Sequence, residues 1–87
     1  MKHYLNQKIP VGTPVNVARQ ILQSKRFEVS LEFGQAFTEE GKVRRNLDYL
    51  YGDRHDGFIF QRRWQVAVVF KENKVTEILV STAIIAL

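Results

Sequence analysis

The chain has 87 residues, no cysteine and a formal net charge of +4. This length allows one domain with a modest core, and we predict a single domain spanning residues 1–87. The absence of cysteine excludes disulfides, thiolate metal sites and cysteine nucleophiles. The longest apolar tract, residues 82–87, is far shorter than the roughly 20 residues needed to cross a membrane. The positive charge permits an acidic partner, but the basic residues are spread along the sequence, which is typical of charge that keeps a small domain in solution.

The first 24 residues predict a tail followed by a helix. Residues 1–10 carry no apolar period and are predicted to form a flexible tail or a short extended piece. Thr13 suits the N-cap of a helix, because its hydroxyl can accept a hydrogen bond from a free backbone N–H, and Pro14 suits the first helical position. Apolar residues then recur with helical spacing as far as Leu22. The sequence therefore predicts a helix over 14–24.

The rest of the chain predicts strands joined by turns. Apolar and polar residues alternate from Phe27 to Phe33, which indicates a half-buried strand that ends at Gly34. The polar stretch 35–46 is compatible with a short helical turn or with a long loop. The elements predicted after it are a strand at 47–51, a turn at 52–57, a strand at 58–70, a tight turn at 71–74 with Asn73 in a left-handed conformation, and a strand at 75–84.

These elements indicate an α+β fold. Strands joined by short turns pair antiparallel. Every second residue from Trp64 to Phe70 is large and apolar, so this half of the longest strand is expected to face a core, and the helix over 14–24 is the substantial element available to cover it. The predicted fold is a small antiparallel sheet of three to four strands, packed on one face by one or two N-terminal helices.

Residues 53–56, Asp-Arg-His-Asp, form the one cluster with catalytic residue types. A histidine and an aspartate could act as a base and its orienting group, or as metal ligands. Aspartate is also favoured in turns, and the sequence has no phosphate-binding loop, nucleophile elbow or paired metal-ligand motif. The sequence therefore predicts a protein that is not an enzyme and that uses no cofactor or metal.

Residues 57–64 give a nucleic-acid hypothesis. Phe58 and Phe60, with the two arginines that follow, could stack on bases and neutralise phosphates, and the run resembles the RNP1 pattern of RNA-recognition motifs. That fold requires a helix between its last two strands, where this sequence has only a tight turn. If Phe58, Phe60 and Trp64 instead lie on the core side, the motif has a structural role, and nucleic acid is the disfavoured partner.

Two stretches together resemble a known family. Ile9–Pro14 leads into an amphipathic helix, and Trp64–Phe70 runs through a short turn into Lys74–Ile78. They resemble bacterial lipoprotein domains of the SmpA/OmlA type, which assist outer-membrane assembly, and the related beta-lactamase-inhibitor-protein fold. Those domains begin their helix at "I-x-x-G-x-s/t" and end on an aromatic strand, a turn and a "K-V-x-x-I/V" strand.

The resemblance implies a non-enzymatic protein-binding or structural domain of a cell-envelope lipoprotein on the periplasmic side. Such a protein would bind another envelope protein, and would reach the membrane only through a lipid anchor that is absent from this chain. The resemblance places contacts on the exposed sheet face and loops, for which Tyr49, Tyr51, Arg62 and Arg63 are the candidates. A native start at Met1 would instead indicate a cytoplasmic protein.

The residues leave other roles open for these side chains and for the chain. Tyr49 and Tyr51 could be binding residues or amphipathic lids over a core. Arg62 could extend its charged end into solvent at the end of the sheet, pair with a carboxylate, or bind a partner. One alternative function is a protein inhibitor or immunity-type binder that uses 53–56 as a projecting loop. Another is a single-stranded nucleic-acid-binding domain. An exposed edge strand would also permit a homodimer.

Overall fold

The computed structural model describes residues 1–58 and 60–86, the side chains of 84–86 excepted. Across this described part of the chain, two helices precede four strands: α1 (Lys2–Lys8), α2 (Val15–Ser24), β1 (Glu28–Glu39), β2 (Lys42–Asp56), β3 (Phe60–Lys71) and β4 (Lys74–Ala86). The strands form one antiparallel sheet in the order β1-β2-β3-β4. The predicted α+β class and antiparallel sheet are confirmed, and the helices are N-terminal. Neither helix combines the length and apolar character needed to span a membrane.

The predicted tail is wrong for residues 2–8, which form α1. Leu5 and Ile9 are 0% and 1% exposed, and the Ile9 N–H donates to the Leu5 carbonyl at 2.7 Å. A helix of 7 residues has too few turns to display an apolar period, and it is not stable in isolation. The burial of these two side chains stabilises α1, and that burial depends on the tertiary structure.

Helix α2 begins one residue later than predicted. Its first turn is hydrogen-bonded to the sheet. The Thr13 hydroxyl donates to a backbone carbonyl at 2.6 Å and does not cap the helix, so Pro14 is the residue that precedes it. The Val15 N–H donates to the Asn73 carbonyl at 3.0 Å. Glu72 and Asn73 have φ angles of 51° and 63°, which confirms the predicted tight turn. The turn between β3 and β4 thus satisfies the first N–H of α2.

Strand β2 continues through the turn predicted at 52–57. Gly52 pairs with Val66, and Asp56 pairs with Arg62. A Cβ atom at position 52 would lie 2.7 Å from Val66 Cγ2. Glycine is therefore required here because a side chain from β3 approaches the backbone closely, and not because the chain reverses direction.

Residues 35–46 are neither a helical turn nor a loop, because they form the outer half of the β1–β2 hairpin. Glu40 and Gly41 have φ angles of 49° and 77°, as a two-residue type I′ turn requires. Register shifts interrupt the pairing of β1 between Glu32 and Phe37. Such bulges bend a strand and break its alternation of side chains, which is why the sequence pattern of a strand is absent here.

Buried side chains of the described residues form two clusters. The first cluster joins helix and sheet residues: Leu5, Ile9, Ala18, Leu22, Phe27, Leu50, Val66, Val68, Val75 and Ile78. The second cluster contains Phe37, Tyr49, Ala67, Val69 and Leu79. Because side chains alternate along a strand, Val66 and Val68 define a first face of the sheet, and Ala67 and Val69 define a second face. The predicted inward side of β3 is confirmed at Val66 and Val68, and the opposite side is buried as well because Phe37 packs against it.

Candidate functional site

The predicted contact residues are divided between the two faces. Tyr49, Tyr51 and Arg63 lie on the second face, whereas Arg62 lies on the first. Tyr49 is 5% exposed, and its hydroxyl donates to a carbonyl of β1 at 2.9 Å. Burial raises the pKa of Tyr49, and the charge of Glu32 raises it further. Tyr49 is therefore a core side chain with little surface for a partner.

Tyr51 and Arg63 belong to a polar network on the second face. The Gln65 amide donates to the Tyr51 hydroxyl, and the Arg63 guanidinium donates two hydrogen bonds to the Asp53 carboxylate, at 3.1 and 3.0 Å. The hydrogen bonds and charge of Arg63 hold the pKa of Asp53 below its ordinary value. A partner that binds Arg63 would have to compete with this ion pair.

The polar cluster at 53–56 lies on strand β2, and its side chains alternate between faces. Arg54 forms an ion pair with Asp56 at 2.8 Å and donates to the Lys25 carbonyl at 2.9 Å. The hydrogen bond from Arg54 lowers the pKa of Asp56. No group of three metal-ligating side chains occurs among residues 1–58 and 60–86. Because the segment is a strand, it does not form the projecting loop that the inhibitor alternative uses.

The aromatic residues next to Gly57 are exposed. Phe58 and Phe60 are 87% and 67% exposed, so their predicted alternative placement on the core side is wrong. Trp64 packs against the first cluster, with the Arg62 guanidinium 5.3 Å from its ring centroid. Ile59, from the same sequence motif, lies outside the described residues. The end of the β2–β3 ribbon therefore presents two exposed phenylalanine side chains close in sequence to Arg62.

The free edge of β4 is covered at Val80 by the tip of the β1–β2 hairpin and at Val75 by backbone hydrogen bonds with Gly12 and Thr13. The Glu39 carboxylate accepts the Val80 N–H at 2.8 Å and the Lys2 ammonium at 2.9 Å. Partial burial acts to raise the pKa of Glu39, but the hydrogen bonds from Lys2 and Val80 outweigh it, so the pKa is lowered. Arg44 adds a two-point ion pair to Glu77 at 2.9 Å. A strand added at β4 would have to displace these contacts.

The free edge of β1 is open between residues 28 and 33. Among the described residues, β1 pairs along its length with β2 alone. Leu31 and Phe33 are 42% and 59% exposed, and the Phe33 ring makes an edge-to-face contact with Phe70 at 6.2 Å. An outer strand of this kind presents unpaired backbone N–H and C=O groups. The alternation in the sequence predicted this strand, but nothing in it indicated that the strand would lie at the edge.

A groove of about 450 Å³ lies between the start of α2 and β1. Leu50, which is 1% exposed, contributes to its lining from β2, Leu31 from β1 and Val15 from α2. The side chains that line it are Pro14, Val15, Asn16, Arg19, Leu31, Leu50 and Asn73. This lining is mostly apolar and includes one cation, so it suits an apolar side chain next to a polar backbone. It contains no pair of nucleophile and base.

Comparison with models of protein families, with curated proteins and with solved structures finds no match.

Proposed function

We propose that this chain is a non-enzymatic protein-binding domain, which takes an extended segment of a partner along the free edge of β1 beside α2. The observation that carries the proposal is an unpaired outer strand with two exposed apolar side chains, Leu31 and Phe33, of which Leu31 lines an apolar groove. Addition of a strand to a sheet edge is a recurring mode of peptide recognition, in which backbone hydrogen bonds give affinity and pockets for alternate side chains give specificity.

Backbone hydrogen bonds are not sufficient for this binding mode, and apolar burial is needed as well. Ordering a six-residue segment costs about 6–12 kcal/mol of backbone entropy, whereas each backbone hydrogen bond contributes only about 0.5–1.5 kcal/mol net. Hydrogen bonds along β1 alone do not offset that cost. Apolar burial against Leu31 and Phe33 has to supply the rest, so the partner must carry apolar residues at alternate positions.

The test compares two substitutions at similarly exposed apolar residues. Leu31 and Val43 are 42% and 49% exposed, and Val43 lies on the outer half of the hairpin, away from the groove. We expect Leu31→Lys to abolish co-purification of the native partner and Val43→Lys to retain it, with urea denaturation showing that both variants fold. Retention of the same partner by Leu31→Lys would contradict binding at this edge.

The envelope location is a separate part of the proposal and is supported by the resemblance to SmpA/OmlA-type domains. It predicts that the protein expressed from its own gene fractionates with the envelope through a lipid anchor. Recovery in the cytoplasmic fraction would contradict the location but would leave the binding mode at β1 untouched.

A second candidate function, single-stranded nucleic-acid binding, is favoured by the exposure of Phe58 and Phe60 next to Arg62. Stacking of a base on an aromatic ring contributes about 1–3 kcal/mol, and phosphate contacts make binding weaken as salt is added. A labelled 20-nucleotide oligouridine at low salt tests it, with the double substitution Phe58→Ala and Phe60→Ala as the variant. An absence of binding at low salt would eliminate this function.

A further inference from the structure

The free edge of β1 has two chemically different sides. Val29, Leu31 and Phe33 project to the first face, because Val29 and Leu31 pair with Gly52 and the buried Leu50 and side chains alternate along the strand. Leu31 also lines the groove. Glu28, Ser30 and Glu32 project to the second face. A strand added here would therefore meet an apolar row on one side and an acidic row on the other.

Glu28 and Glu32 form no ion pair within the described part of the chain. The carboxylates engaged in ion pairs there belong to Glu39, Asp53, Asp56 and Glu77. Glu28 pairs across the sheet with Asp53, and Glu32 pairs with Tyr49. Since the chain as a whole carries a net charge of +4, this edge has the opposite sign to the rest of the molecule.

We infer that the partner segment alternates basic and apolar residues, with its basic side chains facing Glu28 and Glu32 and its apolar side chains facing Leu31 and Phe33. This inference rests on the proposed docking at β1. Residues directly opposite one another in paired strands have Cβ atoms about 5 Å apart, so opposite charges attract and like charges repel. The edge thus selects a lysine- or arginine-bearing strand over an acidic one.

The same charges disfavour a second copy of this chain as the occupant. Two-fold antiparallel pairing centred on Ser30 would set Glu28 of each copy opposite Glu32 of the other. A shift of register by two residues still leaves the glutamates of both copies on one side of the joined sheet. Self-association through β1 would therefore bring like charges together.

Three labelled peptides of seven residues test the inference by fluorescence polarisation at low salt. Each has valine at alternate positions, and the remaining positions are lysine, threonine or glutamate. We expect the lysine peptide to bind about tenfold or more tightly than the glutamate peptide, with the threonine peptide between them, because two opposing charge pairs change sign. The preference should shrink as salt screens the exposed charges.

Charge reversal at the edge gives the matched variant. The double substitution Glu28→Lys and Glu32→Lys should reverse the order, so that the glutamate peptide binds best. The control is the double substitution Glu40→Lys and Glu72→Lys, which makes the same change of net charge at two exposed hairpin turns. This control should keep the lysine peptide as the preferred ligand.

The outcomes separate this inference from the proposed function. Equal binding of the three peptides, or an unchanged order in the edge variant, would overturn the charge inference and leave docking at β1 in place. Failure of all three peptides to bind or to shift the backbone amide resonances of 28–33 would overturn docking itself. Sedimentation as a dimer that the lysine peptide does not dissociate would identify a second copy as the occupant and overturn the inference.

Discussion

The two outer strands of the sheet present their free edges differently. On β4, the Glu39 carboxylate occupies the Val80 N–H, and the hairpin tip that carries Glu39 lies against the edge. On β1, the stretch 28–33 has no strand beyond it among the described residues, and Leu31 and Phe33 remain exposed. Both edges could template unwanted pairing. The difference arises because the hairpin tip and the segment before α2 bond to the edge of β4, whereas no described segment pairs with the edge of β1 at 28–33.

The largest effect is expected from Phe37→Ala, which removes the side chain that holds the outer hairpin on the second cluster. Phe37 is 8% exposed and contacts the Tyr49 ring at 5.9 Å. Removal of a buried phenylalanine should lower the free energy of unfolding by about 3 kcal/mol, measured by urea denaturation. Phe58→Ala is the control, and at 87% exposure it should change stability by less than about 0.5 kcal/mol. Equal effects would mean that Phe37 does not hold the outer hairpin on the second cluster.

A smaller effect is expected from Glu39→Gln, which keeps an acceptor near Val80 but removes the charge that pairs with Lys2. We expect a loss of about 1 kcal/mol, because the Glu39 side chain is only 19% exposed. Amide hydrogen exchange should accelerate at Val80 and remain unchanged at 29–33. Unchanged hydrogen exchange at Val80 would show that the Glu39 carboxylate does not protect the Val80 N–H at the free edge of β4.

The closed edge should also respond to acid. The pKa of Glu39 is lower in the folded chain than its ordinary value of 4.5, so the folded state binds fewer protons than the unfolded state as the pH falls. The stabilisation is complete above that value and is lost progressively as the pH drops through the lower folded pKa. The urea midpoint of the wild type should therefore fall more steeply with acid than that of Glu39→Gln. Parallel curves for the two proteins would contradict this assignment.

The smallest effect on stability is expected at the open edge. Leu31→Thr keeps a β-branched residue suited to a strand and removes apolar surface that is 42% exposed, so the free energy of unfolding should change by about 0.5 kcal/mol or less. Binding of the alternating lysine–valine peptide should nevertheless weaken markedly. A large loss of stability without a loss of binding would identify Leu31 as a core residue and not a docking residue.

Residues with a clean period were predicted correctly, and residues shaped by long-range packing were not. The sequence identified β1 from the alternation between Phe27 and Phe33, because a period of two is typical of a strand. It identified α2 from the apolar spacing of 14–24, because a period of 3.6 is typical of a helix. Gly52 was interpreted as a turn residue. The sequence does not distinguish a glycine at which the chain reverses direction from one that leaves space for a neighbouring side chain such as that of Val66. The sequence left Tyr49 open as a binding residue or a lid over a core, and the fold buries it in a cluster with Phe37, which comes from a segment with no strand pattern.

By itself, the sequence determined the α+β class, the main helix, the antiparallel strands and the tight turn at Asn73, since these depend on local periodicity and backbone preference. The tertiary structure alone decided that α1 forms, that the outer hairpin bends over the second face, and that β1 lies at an open edge while β4 is closed. These features depend on contacts between residues far apart in the chain, such as that of Glu39 with Val80, which no local pattern encodes. The alternation that places Glu28, Ser30 and Glu32 on one side of a strand is present in the sequence. Only the order of the strands shows that these residues lie along a free edge of the sheet.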